Sequence, residues 1–329
     1  MELKNCRVLV TATTFGKCDP SPLPVLEQSV GEVIHNPLGR PLKAKELLEL
    51  VKDIDGWIAG LDEINWEVIR AANRLKVISR YGVGVDRIDI KEASRKGIVI
   101  TNTPGSNSVA VAEMTICLML ALARDLINAS LSTKHGEWPR LEGVGLKGKT
   151  IGIIGLGSIG KEVVKRLKCF KCEILVYDPF VNAKEIEALG AKPKPLDQLL
   201  SKSDFLTLHC VLTPDTAGMV NEDFIRKMKK GAFLINTARG ELVQEEAILK
   251  ALNEGYLRGV ALDCFSKEPP SGDNPLLKHP KVIATPHMAS HTDEAILRMS
   301  WMSFENCLKV LKGERPQFIV NPEVFGSET

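Results

Sequence analysis

The sequence lacks a marked excess of charge of either sign and any long apolar run. Lys and Arg number 43 against 41 Asp and Glu, which leaves a formal net charge of +2. This balance gives no electrostatic reason to expect nucleic acid or an anionic membrane as a partner. The longest apolar stretch, 109–123, is interrupted by Glu113 and is too short to cross a bilayer. The apolar run after Arg7 is too short for a signal peptide, so a cytoplasmic protein is expected.

The sequence also lacks the cysteine patterns of disulfide frameworks and metal sites. Its eight cysteines are scattered through mostly apolar segments. One C-x-x-C pair, Cys169 and Cys172, has no second pair and no histidine nearby, so neither zinc binding nor redox chemistry is favoured there. Thiols at a helix-to-strand junction are the simpler interpretation, and no metal site is predicted. The protein is expected to be reduced, as cytoplasmic proteins are.

Short apolar segments alternate with helical patterns along almost the whole chain, which predicts an α/β protein. The 329 residues are enough for two domains of ordinary size. We predict one domain at 1–103 and a second at 104–291. Residues 292–329 have no sheet of their own, so we expect them to return to the first domain. Because open α/β sheets bind ligands at the carboxyl ends of their strands, the substrate is expected in a cleft between the two domains.

The predicted elements have approximate limits. Strands are predicted at 7–11, 33–34, 56–59, 77–80, 98–101, 151–154, 173–177, 205–209, 232–236, 259–263 and 282–285. Helices are predicted at 44–51, 66–72, 90–95, 108–132, 161–167, 222–228, 244–253 and 293–311. The long helix at 108–132 has apolar residues over much of its circumference, more than the core of one domain needs.

The segment 150–179 carries the ordered pattern of a dinucleotide-binding unit. An apolar strand leads into Gly155-Leu-Gly157-Ser-Ile-Gly160, a helical pattern follows, and a second strand delivers Asp178. The glycines permit, in turn, the tight turn, the approach of a pyrophosphate and the packing of helix on strand. The helix N-terminus supplies N–H groups to the phosphate, and Asp178 is placed to accept hydrogen bonds from a ribose. Because a 2′-phosphate would meet this carboxylate, NAD is predicted rather than NADP.

Polar residues follow three predicted strands of the second domain, namely Arg239, Glu268 and His287. An arginine can grip a carboxylate with two hydrogen bonds. A histidine exchanges a proton near neutral pH, and a carboxylate behind it fixes its tautomer. Each residue alone has a simpler interpretation: Arg239 as an exposed residue before a helix, Glu268 as a loop charge and His287 as one of six histidines. Their shared place at strand ends beside a dinucleotide site favours function.

These motifs resemble those of the D-isomer-specific 2-hydroxyacid dehydrogenase family, in particular its short phosphoglycerate-dehydrogenase-like branch. The likeness extends over nearly the whole chain and is carried by 155–160 with Asp178, 236–240, 263–270 and 286–292. It implies two doubly wound parallel-sheet domains, a flavodoxin-like substrate-binding domain and a Rossmann NAD-binding domain, in a homodimer. It also implies that Arg239 binds the carboxylate and carbonyl oxygen of the substrate, that His287 is the acid/base and that Glu268 is its partner.

The resemblance implies further contacts with cofactor and substrate. Cofactor contacts are implied for Val83, Gly155, Gly157, Ser158, Ile159, Gly160, Asp178, Cys210, Thr237, Asp263, His287 and Ser290. The segment 80–86 resembles the loop beneath the substrate, whose backbone amides could receive the substrate carboxylate. Substrate contacts are implied for Arg80, Gly82, Val83, Gly84, Arg239 and His287. For Val83 and Cys210, simple packing is an equally good interpretation.

The identity of the substrate acid stays open. In phosphoglycerate dehydrogenases the loop after the third strand usually supplies an arginine to the substrate phosphate, whereas here 58–63 is uncharged and then acidic at Asp62 and Glu63. Arg80 and Arg140 could compensate for the missing charge. We predict a small 2-oxo acid such as glyoxylate, hydroxypyruvate or pyruvate, with 3-phosphohydroxypyruvate as the alternative.

Two other functions are compatible with this fold. A nucleotide-sensing corepressor could retain the Arg–Glu–His set, although no charged or disordered interaction tail is visible. Formate or phosphite oxidation would need a site shaped for a very small anion.

Overall fold

The computed structural model describes residues 2–326 and divides into two compact units. The first unit contains the residues up to Asn107 and those from His291 onward, and the second spans Ser108–Ser290. The domain limits predicted from the sequence lie at 103/104 and 291/292. Residues 1 and 327–329 of the predicted first domain lie outside the described residues. The division of substrate and cofactor binding between the two units stays a prediction.

The elements alternate along the chain as strands and helices. The strands are β1 (Arg7–Val10), β2 (Glu32–His35), β3 (Gly56–Ala59), β4 (Val77–Arg80), β5 (Val99–Thr101), β6 (Thr150–Ile154), β7 (Glu173–Tyr177), β8 (Lys192–Pro193), β9 (Phe205–Leu208), β10 (Ala232–Asn236), β11 (Leu257–Leu262) and β12 (Val282–Ala284). The helices are α1 (Leu23–Ser29), α2 (Ala44–Leu47), α3 (Trp66–Ala71), α4 (Ile90–Arg95), α5 (Ser108–Arg124), α6 (Leu126–Lys134), α7 (Ser158–Leu167), α8 (Ala183–Ala188), α9 (Leu196–Lys202), α10 (Glu222–Lys227), α11 (Glu245–Asn253), α12 (Pro275–Lys278) and α13 (Asp293–Lys312).

The first unit is built on a five-stranded parallel sheet in the order β2-β1-β3-β4-β5. Its central strands β3 and β4 are buried throughout, as expected for strands covered on both faces. The C-terminal helix α13 returns to this sheet, where Ser79 donates a hydrogen bond to the carbonyl of Ser303 at 2.8 Å. Thr292 caps the start of α13 by accepting from the N–H of Ala295, which sets the point at which the helix begins.

The second unit is built on a seven-stranded parallel sheet in the order β12-β11-β10-β9-β6-β7-β8. The chain runs outward from β6 to β8 and then crosses back to β9, so the order reverses between β6 and β9. Open α/β sheets bind ligands at such a reversal, outside the carboxyl ends of the strands. In this unit the residues that follow β6 and β9 are the glycine motif and the segment His209–Cys210.

The predicted single helix at 108–132 is wrong, because the chain forms two helices that break at Asp125. This residue adopts a left-handed backbone conformation with φ +49°, and Asn128 donates to its carboxylate at 2.7 Å. Helix α5 is largely buried within the second unit, whereas α6 has no buried residue. The excess apolar surface therefore belongs to α6 rather than to one continuous helix.

Several short elements were not predicted from the sequence, namely α1, α8, α9, α12 and β8. Each has seven residues or fewer, which is too short for a helical or alternating pattern to stand out. None of the helices within residues 2–326 is long and apolar enough to cross a membrane.

Candidate active site

The glycine motif forms a close turn between β6 and α7. Gly155 has φ +94°, and a Cβ atom built on it would lie 2.5 Å from the backbone nitrogen of Cys210. A Cβ on Gly160 would overlap the carbonyl oxygen of Gly155. Both positions therefore need glycine, because no side chain fits where the loop approaches α7 and the end of β9. Gly157 differs: its backbone is exposed, and a Cβ there would meet no described atom within 4 Å.

Helix α7 begins at Ser158, three residues before the predicted start at 161. The last residues of the glycine motif thus form the first helical turn, with Gly157 as the N-cap. The N–H groups of Ser158, Ile159 and Gly160 have no partner within the helix, and the glycine cap has no side chain to satisfy them. Open space over Gly157 and N–H groups without helical partners are what a dinucleotide pyrophosphate requires. The residues present therefore fit NAD.

Asp178, which follows β7, ties the glycine loop to the neighbouring strand. Its Oδ2 atom accepts from the N–H of Leu156 at 2.7 Å, and its Oδ1 atom accepts from the N–H of Phe180 at 2.8 Å. A carboxylate has about four acceptor positions, so about two remain for ribose hydroxyls. Nothing in the sequence indicates that Asp178 accepts these two hydrogen bonds from backbone N–H groups.

The residues implied as further cofactor contacts in the second unit differ in exposure. Cys210 is half-buried after β9, and burial, with a smaller effect of the Asp178 carboxylate, raises its pKa to about 11. Thr237 is largely buried, and its hydroxyl lies 3.0 Å from the hydroxyl of Thr115 in α5. Ser290 is half-buried. A packing role is thus visible for Thr237, and the cofactor contacts stay predictions.

Glu268 and His287 form a hydrogen-bonded pair. Nδ1 of His287 lies 2.9 Å from Oε1 and 3.0 Å from Oε2 of Glu268. Because an ionised carboxylate can only accept, Nδ1 carries the proton and donates it. This arrangement leaves Nε2 of His287 as the atom that can exchange a proton with a substrate. Both side chains are mostly covered, with 25% of His287 and 16% of Glu268 exposed.

Asp263, directly after β11, holds the turn that presents His287. Its buried carboxylate accepts from the hydroxyl of Thr285 at 2.6 Å and from the N–H groups of Met288 and Ala289 at 2.9 Å. The N–H of His287 itself donates to the carbonyl of Asp263 at 2.8 Å. His287 has φ +50°, a conformation that such bonds on both sides can stabilise. The implied contact of Asp263 with the cofactor stays a prediction beside this observed role.

Arg239 follows β10, the strand next to β11 in the sheet. Asn236 shapes its turn by donating to the carbonyl of Arg239 at 2.7 Å and accepting from the N–H of Ala238 at 3.0 Å. The guanidinium donates to the carbonyl of Ala238 at 2.7 Å and is half-buried. Arg239, Glu268 and His287 thus follow three adjacent strands, β10, β11 and β12, at one edge of the sheet.

In the first unit, the segment 80–84 is shaped by Arg80. This residue is only 8% exposed, and its guanidinium donates to the carbonyls of Gly84, at 2.9 Å, and Tyr81. The N–H of Gly82 donates to the hydroxyl of Thr103 at 3.0 Å. The amides of Val83 and Gly84 are therefore the better candidates for a substrate carboxylate. The role of Arg80 as a substrate contact stays a prediction, and its observed role is to hold its own loop.

Of the two acidic residues in 58–63, Glu63 is exposed, whereas Asp62 is turned inward. This carboxylate is fully buried and accepts from the hydroxyl of Thr11 and from the N–H groups of Gly60, at 2.9 Å, and Leu42, at 2.8 Å. Burial raises the pKa of Asp62. Because it is turned into the unit, the Asp62 carboxylate is not exposed to a substrate.

Three buried polar atoms among the described residues have no hydrogen-bond partner: Oδ1 of Asn107, Oγ of Ser108 and Nδ1 of His209. His209 follows β9 beside the glycine loop, and burial lowers its pKa to about 3. Its ring is therefore neutral at physiological pH. The sequence did not indicate these residues, because the residue pattern around them does not show which polar atoms are buried.

The comparison with known proteins agrees with this geometry. The model of the NAD-binding domain of D-isomer specific 2-hydroxyacid dehydrogenases matches residues 116–289. A glyoxylate reductase of Thermofilum pendens is 44% identical over 316 residues, which are 93% of each chain. The chain belongs to the D-isomer-specific 2-hydroxyacid dehydrogenase family. The family prediction is thereby confirmed, together with the predictions of two parallel-sheet α/β domains, of NAD and of an NAD-dependent oxidoreductase acting on CH–OH groups.

Two other similar proteins are named for different substrates. A D-3-phosphoglycerate dehydrogenase of Methanocaldococcus jannaschii is 44% identical over 301 residues. The match covers 90% of this chain but only 56% of that enzyme. The structure of a D-lactate dehydrogenase from Aquifex aeolicus, complexed with NAD and lactic acid, has a TM-score of 0.83 at 27% identity and covers 95% of this chain and 99% of that one.

Proposed function

We propose that the protein reduces a small 2-oxo acid to a D-2-hydroxy acid with NADH, and catalyses the reverse oxidation. The observation that carries this proposal is the Glu268–His287 pair, whose Nδ1–carboxylate distances are 2.9 and 3.0 Å. Glu268 follows β11 and His287 follows β12, and β11 pairs with β10, the strand that precedes Arg239, in the unit that holds the dinucleotide motif. A histidine oriented by a carboxylate is a general acid–base group.

Each residue of the trio has a distinct task. In reduction, the protonated imidazole of His287 gives its Nε2 proton to the carbonyl oxygen of the substrate. Glu268 stabilises the imidazolium through Nδ1, and in oxidation the neutral imidazole takes the proton back. Arg239 grips the substrate carboxylate with its guanidinium fork and polarises the carbonyl. The nicotinamide, when bound, supplies the hydride chemistry.

The cofactor is proposed to lie against the glycine motif. Ser158 and Ile159 would donate backbone N–H groups to the pyrophosphate, and Asp178 would accept from the adenosine ribose. Further contacts are proposed for Val83, Cys210, Thr237, Asp263 and Ser290. In the first unit, the amides of Val83 and Gly84 are proposed to receive the substrate carboxylate.

A small unphosphorylated acid is favoured over 3-phosphohydroxypyruvate. The burial of Asp62 removes one argument against a phosphate, but Arg80 is bonded to its own loop and Arg140 lies in an exposed segment. The glyoxylate reductase relative is matched along 93% of its length and the phosphoglycerate dehydrogenase relative along 56%. Phosphoglycerate dehydrogenase activity is the alternative.

The test is turnover of NADH with glyoxylate, hydroxypyruvate, pyruvate and 3-phosphohydroxypyruvate, each measured as kcat/KM. We expect the highest value with one of the first three acids. A preference of about a hundredfold for the phosphorylated acid, about 2.7 kcal/mol, would establish the alternative. Binding of NADH without turnover of any acid would instead support the nucleotide-sensing function.

We also propose that the protein is a cytoplasmic homodimer. Helix α6 and the segment after it expose large apolar side chains, among them Leu126 at 56%, Leu131 at 49% and Trp138 at 78%. Neighbouring exposed apolar residues of this kind are typical of an interaction surface. Sedimentation should show a dimer at micromolar concentration, and Leu131→Glu should shift it toward monomer. A wild-type protein that sediments only as a monomer would contradict the proposal.

A further inference from the structure

Glu245, the first residue of α11, is hydrogen-bonded to two points of the loop that carries Glu268. Its Oε1 atom accepts from the N–H of Ser266 at 3.0 Å and from the hydroxyl of Ser266 at 2.7 Å. Its Oε2 atom accepts from Nδ2 of Asn274 at 2.7 Å. One carboxylate thus joins both ends of the segment 266–274, which contains Glu268.

No side chain of the segment 266–274 is buried. It is mostly exposed, with Phe265 before it and Leu276 after it as the nearest buried side chains. Within it, Glu268 accepts from the N–H of Phe265 at 3.2 Å, and the N–H of Asn274 donates to the carbonyl of Ser271 at 2.9 Å. In an exposed segment without a buried side chain, hydrogen bonds to the rest of the unit are what hold the backbone in place.

The chain between Arg239 and Glu245 contacts the same loop a second time. A Cβ on Gly240 would overlap the carbonyl group of Phe265 and crowd the nitrogen of Ser266. The backbone after Arg239 therefore packs directly on the start of the Glu268 loop. Six residues on from Arg239, Glu245 bonds to that loop, so one short segment both carries Arg239 and supports the loop of Glu268.

We propose that Glu245 is a positioning residue of the proton relay: it holds the 266–274 loop so that Glu268 stays within hydrogen-bond distance of His287. This inference rests on the proposed function, in which Glu268 acts through His287. Glu245 touches neither His287 nor the reacting atoms; it acts by limiting the positions of Glu268. Preorganised partners of this kind keep an acid–base pair aligned without reorganisation during the reaction.

The variant Glu245→Gln tests the proposal with little change of shape. Its amide oxygen can still accept from Ser266, but its NH₂ group would face Nδ2 of Asn274, donor against donor. The side-chain amide of Asn274 cannot flip without losing another hydrogen bond, because its Oδ1 accepts from the N–H of Leu276 at the start of α12. One tether of the loop is therefore lost.

Glu246→Gln is the matched control. Glu246 follows Glu245 in the first turn of α11 and is exposed. The two variants lose the same charge near the same helix N-terminus, but only Glu245→Gln alters the loop. Thermal unfolding of both variants shows that the assays are made on folded protein.

The first readout is independent of activity. An imidazole Nδ1 proton bonded to a carboxylate gives a downfield proton resonance, which should vanish in His287→Gln and in Glu268→Gln. We expect it to broaden or weaken in Glu245→Gln and to persist in Glu246→Gln. A resonance that responds to Glu268→Gln but is unchanged in Glu245→Gln overturns the positioning role and leaves the relay standing. A resonance unaffected by Glu268→Gln overturns the relay itself.

The second readout is kinetic. We expect Glu245→Gln to lower kcat for oxo-acid reduction about tenfold, a part of the 10²–10⁴-fold that an acid–base group contributes. The KM for NADH should stay nearly unchanged. Because a displaced or neutral side chain at Glu268 stabilises the imidazolium less, the alkaline limit of reduction should move to lower pH in both Glu245→Gln and Glu268→Gln. In a Glu268→Gln background, Glu245→Gln should have almost no further effect, because it acts through Glu268. Additive losses in the double variant, or an unmoved pH profile, would refute the proposal.

Discussion

Replacement of Asp178 should change the preference between NADH and NADPH. The hydrogen bonds of Asp178 suggest a substitution that separates this effect from damage to the fold. The carboxylate already accepts two backbone N–H groups, from Leu156 and Phe180. An added 2′-phosphate would lie near it. Two unit charges about 4 Å apart interact by about 4 kcal/mol at an effective dielectric constant of about 20. Because Asp178 is half-buried, we reduce this to about 2–3 kcal/mol, a preference for NADH of about 30- to 150-fold.

The choice of substitution decides what this experiment measures. Asp178→Ala leaves the buried N–H of Leu156 without its acceptor, which costs about 1–3 kcal/mol of folding stability. Asp178→Asn keeps an amide oxygen for Leu156 while removing the charge that opposes the phosphate. We therefore expect Asp178→Asn to narrow the NADH preference about tenfold or more with a smaller loss of thermal stability than Asp178→Ala.

The assay is kcat/KM for NADH and NADPH with one saturating 2-oxo acid. Asp197→Asn is the control, since Asp197 is an exposed acid elsewhere in the second unit and should leave the ratio unchanged. Equal efficiency with the two cofactors in the wild-type enzyme would refute the reasoning. An unchanged ratio in Asp178→Asn would show that the preference has another origin.

Three further predictions concern the same unit. His287→Gln should lower kcat about 10²–10⁴-fold with NADH binding, followed by fluorescence, nearly intact; near-normal turnover would contradict the relay. Gly240→Ala should lower the free energy of unfolding by about 3 kcal/mol in urea, whereas Gly272→Ala, with open space at its Cβ, should not. Cys210, with its pKa raised to about 11, should react with iodoacetamide at pH 8 far more slowly than exposed Cys169; equal rates would argue against its burial.

The central strands were predictable because they are buried on both faces and read as short continuous apolar runs. The limits of β3, β4, β7 and β10 agree with the sequence-based prediction to the residue. The prediction of a single helix at 108–132 was wrong for a local reason. Its apolar pattern continues past the break, and nothing in that pattern indicates that Asp125 adopts a left-handed conformation.

The positions of Arg239, Glu268 and His287 could be anticipated because parallel strands end at one edge of a sheet. The hydrogen bonds that hold these residues in place could not be anticipated. Glu245 bonds to a loop more than twenty residues away in the chain, and Asp263 bonds across to the turn after β12. Such long-range hydrogen bonds leave no periodic pattern, so they emerge only from the folded chain.

Three aspartates near strand ends show how the number of donors, rather than sequence position, separates their roles. Asp62 and Asp263 each accept three hydrogen bonds from their own unit and are buried. Asp178 accepts two and is half-buried. With about four acceptor positions on each carboxylate, Asp178 has the most capacity left for a ligand. Neutralising Asp178 should therefore act on cofactor choice, whereas neutralising Asp263 should act first on the turn that presents His287.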